Sequence, residues 1–196
     1  MPPSKREELI DAAMRVFYTH GFQSTCIDKV LQEGGISRMT LYNHFKSKED
    51  LIVAALKRRD EQFRTAMVRA VDAAPGTPRD KILATFDHIA EWISGDQFCG
   101  CMFINAAAEY GDKDCAVRRL AADHKQDIIT YLSRLCRDAD VADPDKAGEQ
   151  LALLIEGAIV TAQVVAQAQD ECMRHSIGLA KEMAAKIVDE GRAAAA

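Results

Sequence analysis

Tryptophan occurs once in the 196 residues, at Trp92, and aromatic residues make up only 6% of the chain. Alternating apolar and polar positions bounded by turn pairs are missing, which removes the pattern of hairpins and sandwiches. Long apolar runs are missing too, with none approaching the ~20 residues that cross a bilayer. The opening stretch MPPSKREELIDAAM lacks the apolar segment of a secretory leader. The expectation is a cytoplasmic chain with no membrane partner. There is no phosphate-binding glycine loop, no HExxH pair and no GxSxG elbow. No His and Cys are spaced as base and nucleophile. The chain is therefore not expected to be an enzyme, and no cofactor is expected.

Six cysteines, at 26, 99, 101, 115, 136 and 172, are dispersed through helical patterns. That usage fits a reduced compartment, and a chain of this size needs no disulfide staples. No Cys/His pair completes a zinc spacing, so no metal is expected. The net charge of −5 argues at first against a nucleic-acid partner. Its distribution argues the other way: residues 1–59 carry a small basic excess and the remainder a larger acidic one. A weakly basic head on an acidic body leaves room for DNA at one end.

What is present is helix. Apolar residues reach 48% and alanine is abundant. Ser4 caps a first helix with Glu7 as its capping-box partner, and Ile10, Ala13, Met14 and Phe17 follow at helical spacing. His20-Gly21 ends it. Thr25 is the next candidate cap, with Asp28 at the third helical position, for a short helix that Gly34-Gly35 stops. Ser37 caps another, with Leu41, Tyr42 and Phe45 on its inner side. Ser47 and Asp50 open a long helix reaching about Ala73. Pro75-Gly76 breaks the chain before Thr77-Pro78-Arg79-Asp80, in which a cap, an N1 proline and an acid start a helix to about Ser94. A short apolar piece follows over Cys101–Tyr110. Helices over about 114–138, from Asp143-Pro144 onward and over about 171–191 complete an all-α chain. There is no internal repeat and no low-complexity linker.

Two short helices joined by Glu33-Gly34-Gly35-Ile36 fit a helix–turn–helix, in which the second helix enters the major groove. The same spacing fits any αα-hairpin of a bundle. Residues 9–56 then add a longer pattern: Ala12-Ala13, Phe17, Gly21-Phe22, Thr25, Gly35-Ile36-Ser37, Thr40-Leu41-Tyr42, His44-Phe45, Ser47-Lys48 and Leu51. At these offsets the segment resembles the DNA-binding head of the TetR family of bacterial regulators. Cys26, Leu31 and Gly34 depart from the family's usual residues.

The resemblance implies a three-helix head at 1–47, and a body at 48–196 made of a connecting helix and a ligand-binding, dimerising bundle. It implies a homodimer on a palindromic double-stranded DNA operator, acting as a repressor and released by a small-molecule effector. Thr25 and Lys48, at helix starts, are candidates for phosphate. Arg38 is a candidate for a guanine edge. Met39 and Thr40 fit a thymine methyl or a phosphate, Tyr42 and His44 fit phosphates, and Asn43 fits adenine or plain solvent.

In the body, small residues Gly157, Ala158, Ala162 and Ala166 and the stripe through Ile177 and Ala184 suit a four-helix dimer interface, or equally the core of one subunit. Phe63, Met67, Phe86, Trp92, Phe103 and Tyr131 are candidate effector-lining residues, although an apolar set in a bundle is as readily core. Cys99-Gly100-Cys101 reads either as a thiol-based redox or soft-metal sensor or as two small buried residues.

Overall fold

The computed structural model describes residues 3–112, 114–165 and 170–194, without the side chains of 170–174. Among these residues all regular structure is helical. The order is α1 (Lys5–His20), α2 (Ile27–Gly34), α3 (Arg38–His44), α4 (Lys48–Ala73), α5 (Pro78–Ile93), α6 (Met102–Glu109), α7 (Ala116–Asp138), α8 (Pro144–Val165) and α9 (Asp170–Ala193).

Side-chain caps set most of the starts. Ser4 Oγ accepts from the Glu7 N–H at 3.3 Å, and Ser47 Oγ from the Asp50 N–H at 3.0 Å. Thr77 and Asp80 form a reciprocal capping box with Pro78 at the first helical position. The Asp80 carboxyl is held below the usual carboxylate range, first by the hydrogen bond from the Thr77 backbone and then by the Thr77 hydroxyl. α2 differs from the expected pattern: its N-cap is Cys26, without a side-chain hydrogen bond, rather than Thr25.

The chain forms two compact units. The first is Met1–Phe63 with Cys101–His124, so α1–α3 are grouped with the start of α4, with α6 and with the start of α7. Its core is built from Leu9, Ala12, Ala13, Phe17, Phe22, Val30, Leu51, Ile52, Ala55 and Leu56, all fully or almost fully buried. The Phe17 and Phe22 rings stack with centroids 5.6 Å apart. Arg58 pins α4 to α1: its Nη1 donates to Asp11 Oδ1 at 2.7 Å, and its Nη2 pairs with Glu7. With a side chain 22% exposed, this cluster is drier than an ordinary surface pair and holds its geometry better.

The second unit is Arg64–Gly100 with Lys125–Ala196. Here α9 packs on α8 and α5. Ile82, Phe86, Ile89 and Ile93 of α5 meet Leu151, Ile155, Ile159 and Ala162 of α8 and Ala184 and Val188 of α9 in a dry core. Arg79 makes a two-pronged bond to Asp189, Nε to Oδ1 at 2.6 Å and Nη2 to Oδ2 at 2.7 Å. α8 is long and apolar enough to span a bilayer by length and composition only, with a mean hydropathy of 1.3 over an 18-residue window, while Glu149 and Glu156 interrupt its apolar run. Its apolar content is used in packing, one side facing α9 and α5.

Candidate nucleic-acid interface

The turn between α2 and α3 is set by Gly35, whose φ of +61° lies in the left-handed region that glycine enters without a Cβ penalty. The Ile36 N–H then donates to Leu31 O at 3.0 Å. Gly34 tightens the motif rather than loosening it. A Cβ there would lie 3.2 Å from Ala12 Cβ, so the bare backbone lets α2 lie close against α1.

α3 is seven residues long, and Ser37 Oγ caps it by accepting from the Thr40 N–H at 3.1 Å. Only Leu41 of the helix is buried, with Phe45 just beyond it. Arg38, Met39, Tyr42, Asn43 and His44 are exposed, and Thr40 is half-buried with its hydroxyl 2.8 Å from Ser37 Oγ. Tyr42 therefore faces outward, not inward, because a helix this short buries one stripe and Leu41 with Phe45 fills it. Met39, at 76% exposure, is a large apolar side chain left in water.

Arg38 is not a loose cation. Its Nη2 pairs with Asp28 Oδ1 of α2, and that hydrogen bond, ahead of the carboxylate's charge, raises the guanidinium pKa. Asp28 was legible only as an early acid of α2. Its role beside Arg38 spans ten residues and depends on the turn.

Two expected contacts sit differently from the expectation. Thr25 is 2% exposed, and its hydroxyl donates to Gly21 O at 2.7 Å. It fastens the loop between α1 and α2 and offers no surface to a phosphate. Lys48 is half-buried, with Nζ donating to Gln23 O at 3.2 Å. Beside α3, an open groove of about 660 Å³ is lined by Arg6, His44, Lys46, Lys57 and Arg58 together with Asp50 and Glu61. This gives α3 a mainly basic flank.

A two-helix motif clipped by a left-handed glycine, with a second helix that turns nearly all its side chains outward, defines a helix–turn–helix DNA-binding regulator. Residues 9–55 match the family model for bacterial regulatory proteins of the tetR family, and residues 78–176 match that for the tetracyclin repressor-like C-terminal domain. The chain belongs to the TetR family of transcriptional regulators, which are not enzymes. A TetR-family regulator from Streptomyces coelicolor has a similar crystal structure, with a TM-score of 0.80 and 29% identity over 97% of this chain and 95% of that one. The HTH-type transcriptional regulator BetI of Rhizobium meliloti is 29% identical over 163 residues, 80% of this chain and 77% of BetI. The HTH-type transcriptional regulator YjdC of Escherichia coli is 23% identical over 155 residues, 79% of this chain and 81% of YjdC.

The candidate effector-lining residues do not share one unit. Phe63 and Phe103 belong to the first, where both rings meet His124, the Phe103 ring stacked at 3.8 Å between centroids. His124 is buried, with Nδ1 2.7 Å from Asp60 Oδ1. Met67, Phe86, Trp92 and Tyr131 belong to the second. Met67 and Phe86 are fully packed core, whereas Trp92 is half-buried and meets Phe98 edge-on at 5.1 Å. The Tyr131 hydroxyl is shielded from solvent and finds no hydrogen-bond partner among the described residues. Burial pushes its phenol pKa up, with Asp72 adding to the effect and Arg134, over the ring, opposing it.

The small-residue stripes are corrected in part. Ala158, Ala162, Ile177 and Ala184 are buried within the single chain, on the packed faces of α8 and α9. Of the described residues in the set only Gly157 is exposed, and Ala166 lies outside them. The exposed apolar positions are Leu153, Val160 and Val164 on α8 and Leu179 and Met183 on α9. Cys99 is half-buried, and Cys101 is buried at the N-cap of α6. Among the described residues no three His, Cys, Asp or Glu side chains are grouped to hold a metal ion.

Proposed function

We propose that the protein is a repressor that binds a palindromic operator as a homodimer and is released by a small-molecule effector. In this reading residues 1–47 read DNA and residues 48–196 connect, dimerise and bind the effector. The observation that carries it is the outward face of α3. Arg38, Met39, Tyr42, Asn43 and His44 are exposed together on a helix fastened by one leucine. An arginine suits a guanine O6/N7 edge, an asparagine suits adenine, and a methionine suits a thymine methyl. Thr40, Tyr42, His44 and Lys48 supply hydrogen bonds to the backbone, which set register without reading sequence. Such a partner places the protein in the cytoplasm.

Dimerisation is assigned to the open side of α8 and α9. Leu153, Gly157, Val160 and Val164 recur at steps of four, three and four, and so share one helix face. Leu179 and Met183 do the same on α9. Two such pairs from two copies make a four-helix bundle, and two-fold symmetry makes the interface match itself. The effector is assigned to the second unit, with the solvent-shielded hydroxyl of Tyr131 as its polar anchor. The Arg134 guanidinium lies against this tyrosine and offers its hydroxyl no acceptor, so a ligand oxygen would give that hydroxyl one.

The test is a mobility shift with DNA from upstream of the protein's own coding region, repeated across salt concentrations. Log affinity should fall linearly with log salt with a slope of several units, because each neutralised phosphate releases counterions. An affinity independent of salt would contradict the reading.

A further inference from the structure

Glu109, the last residue of α6, lies 87 positions from the loop between α1 and α2 and holds that loop by its backbone. The Phe22 N–H donates to both carboxylate oxygens, at 3.1 Å to Oε1 and 2.9 Å to Oε2. The Gln23 N–H donates to Oε2 at 2.6 Å. Two successive backbone N–H groups converging on one anion form a cradle, and charge-assisted bonds of this kind are among the stronger ones a protein makes.

Three further observations show that the surroundings are shaped to this carboxylate. A Cβ at Gly21 would lie 3.0 Å from Glu109 Oε1, so glycine leaves room for the acid. Arg118 of α7 donates from Nη1 to Ala107 O at 3.1 Å and to Tyr110 O at 3.2 Å, fixing the end of α6 on either side of Glu109. Lys48, the first residue of α4, donates to Gln23 O at 3.2 Å, so Gln23 is gripped at its N–H by α6 and at its carbonyl by α4. All these groups belong to the first compact unit.

The loop so held leads straight into the DNA-reading motif. Thr25 fastens it to Gly21, Cys26 is the N-cap of α2, and Asp28 of α2 holds Arg38. We propose that Glu109 is a positioning residue for DNA binding: its carboxylate fixes the loop that orients α2, and through Asp28 the Arg38 guanidinium. The proposal rests on the assignment of α3 as the reading helix.

The test compares the parent with Glu109→Gln, which keeps the shape but places an amide N–H against backbone N–H groups, and with Glu109→Asp, which keeps the charge one methylene further back. The DNA probe is the duplex that the parent enriches from a random-sequence pool. Backbone amide exchange of Phe22 and Gln23 is followed in the free proteins by NMR. For Glu109→Gln the expected result is faster exchange at those two amides and roughly ten- to a hundredfold weaker binding to the enriched duplex. Helix content should match the parent, and Glu109→Asp should recover part of both losses. Unchanged exchange at Phe22 and Gln23 would overturn the proposal, as would faster exchange with parental affinity. Should Glu109→Gln not fold, Glu109→Asp carries the same two readings with a smaller loss. A parent that enriches no duplex at all defeats the DNA-binding reading, and the proposal with it. An active parent with an indifferent Glu109→Gln defeats the proposal alone.

Discussion

Arg38 and Asp28 are both largely exposed, with side chains 59% and 66% accessible. Pairs of that kind add little to stability because water screens them. Their value lies in orientation, since the guanidinium is already directed before DNA arrives. Arg38→Ala should leave thermal stability near the parent's and reduce discrimination at one base pair of each half-site by roughly tenfold to a hundredfold. Competition assays with single-base operator variants measure that directly. Equal loss across all sequences would make Arg38 a phosphate contact instead. Cys136 poses a different question at the same scale. It is fully buried, and burial pushes its thiol up to about 11 from an ordinary value of 9.0. The folded state then keeps a proton that the unfolded state has lost, so stability is full below pH 9 and falls between pH 9 and 11. The loss should reach at most about 3 kcal/mol, two pH units at about 1.4 kcal/mol each. Denaturant melts of the parent and of Cys136→Ala should show a steeper decline across that window in the parent. Parallel profiles would place the titrating group elsewhere.

At the scale of elements, most of the helix starts were written in the sequence, because a serine or threonine cap and its partner lie within three residues. Ser4, Ser37, Ser47 and Thr77 all cap, but at Ser4 only half of the expected capping box forms, because the Glu7 carboxylate pairs with Arg6 and Arg58. Thr25 did not, because a hydroxyl next to a helix start can also turn back on its own loop, and its bond to Gly21 O took it out of reach. Tyr42 was placed on the wrong side for a related reason: with only seven residues, periodicity cannot say which of two neighbouring positions is inner. The interface on α8 and α9 was half legible. Small residues at helical spacing suit a tight core and a tight dimer alike, and burial assigns Ala158, Ala162, Ile177 and Ala184 to the core. The hold of Glu109 on the loop between α1 and α2 was not legible in the sequence. Its partners are backbone amides far along the chain, and these carry no side-chain signature. The revised interface makes its own prediction. Lysine at Val160 and Val164 together should give a monomer by light scattering with the helical content of the parent, since both side chains already face water in one chain. A doubly substituted protein that stays dimeric would move the interface to another face.

In the proposed reading the exposed face of α3 contacts DNA, a second copy packs on the open side of α8 and α9, and an effector weakens DNA binding. Linkage then requires reciprocity: an effector that weakens DNA binding by some factor must itself bind the DNA complex more weakly by the same factor. Trp92, as the only tryptophan, allows effector binding to be followed by its emission in both forms. The central claim remains that a dimer reads sequence through the exposed face of α3, and enrichment of duplexes from a random-sequence pool tests it most directly. The parent should enrich a two-fold symmetric site whose half-sites lie about one helical turn apart or a multiple of it, and Arg38→Ala should lose the preference at one base pair of each half-site. A parent that enriches no sequence, or an Arg38→Ala protein that enriches an unchanged one, would contradict the account.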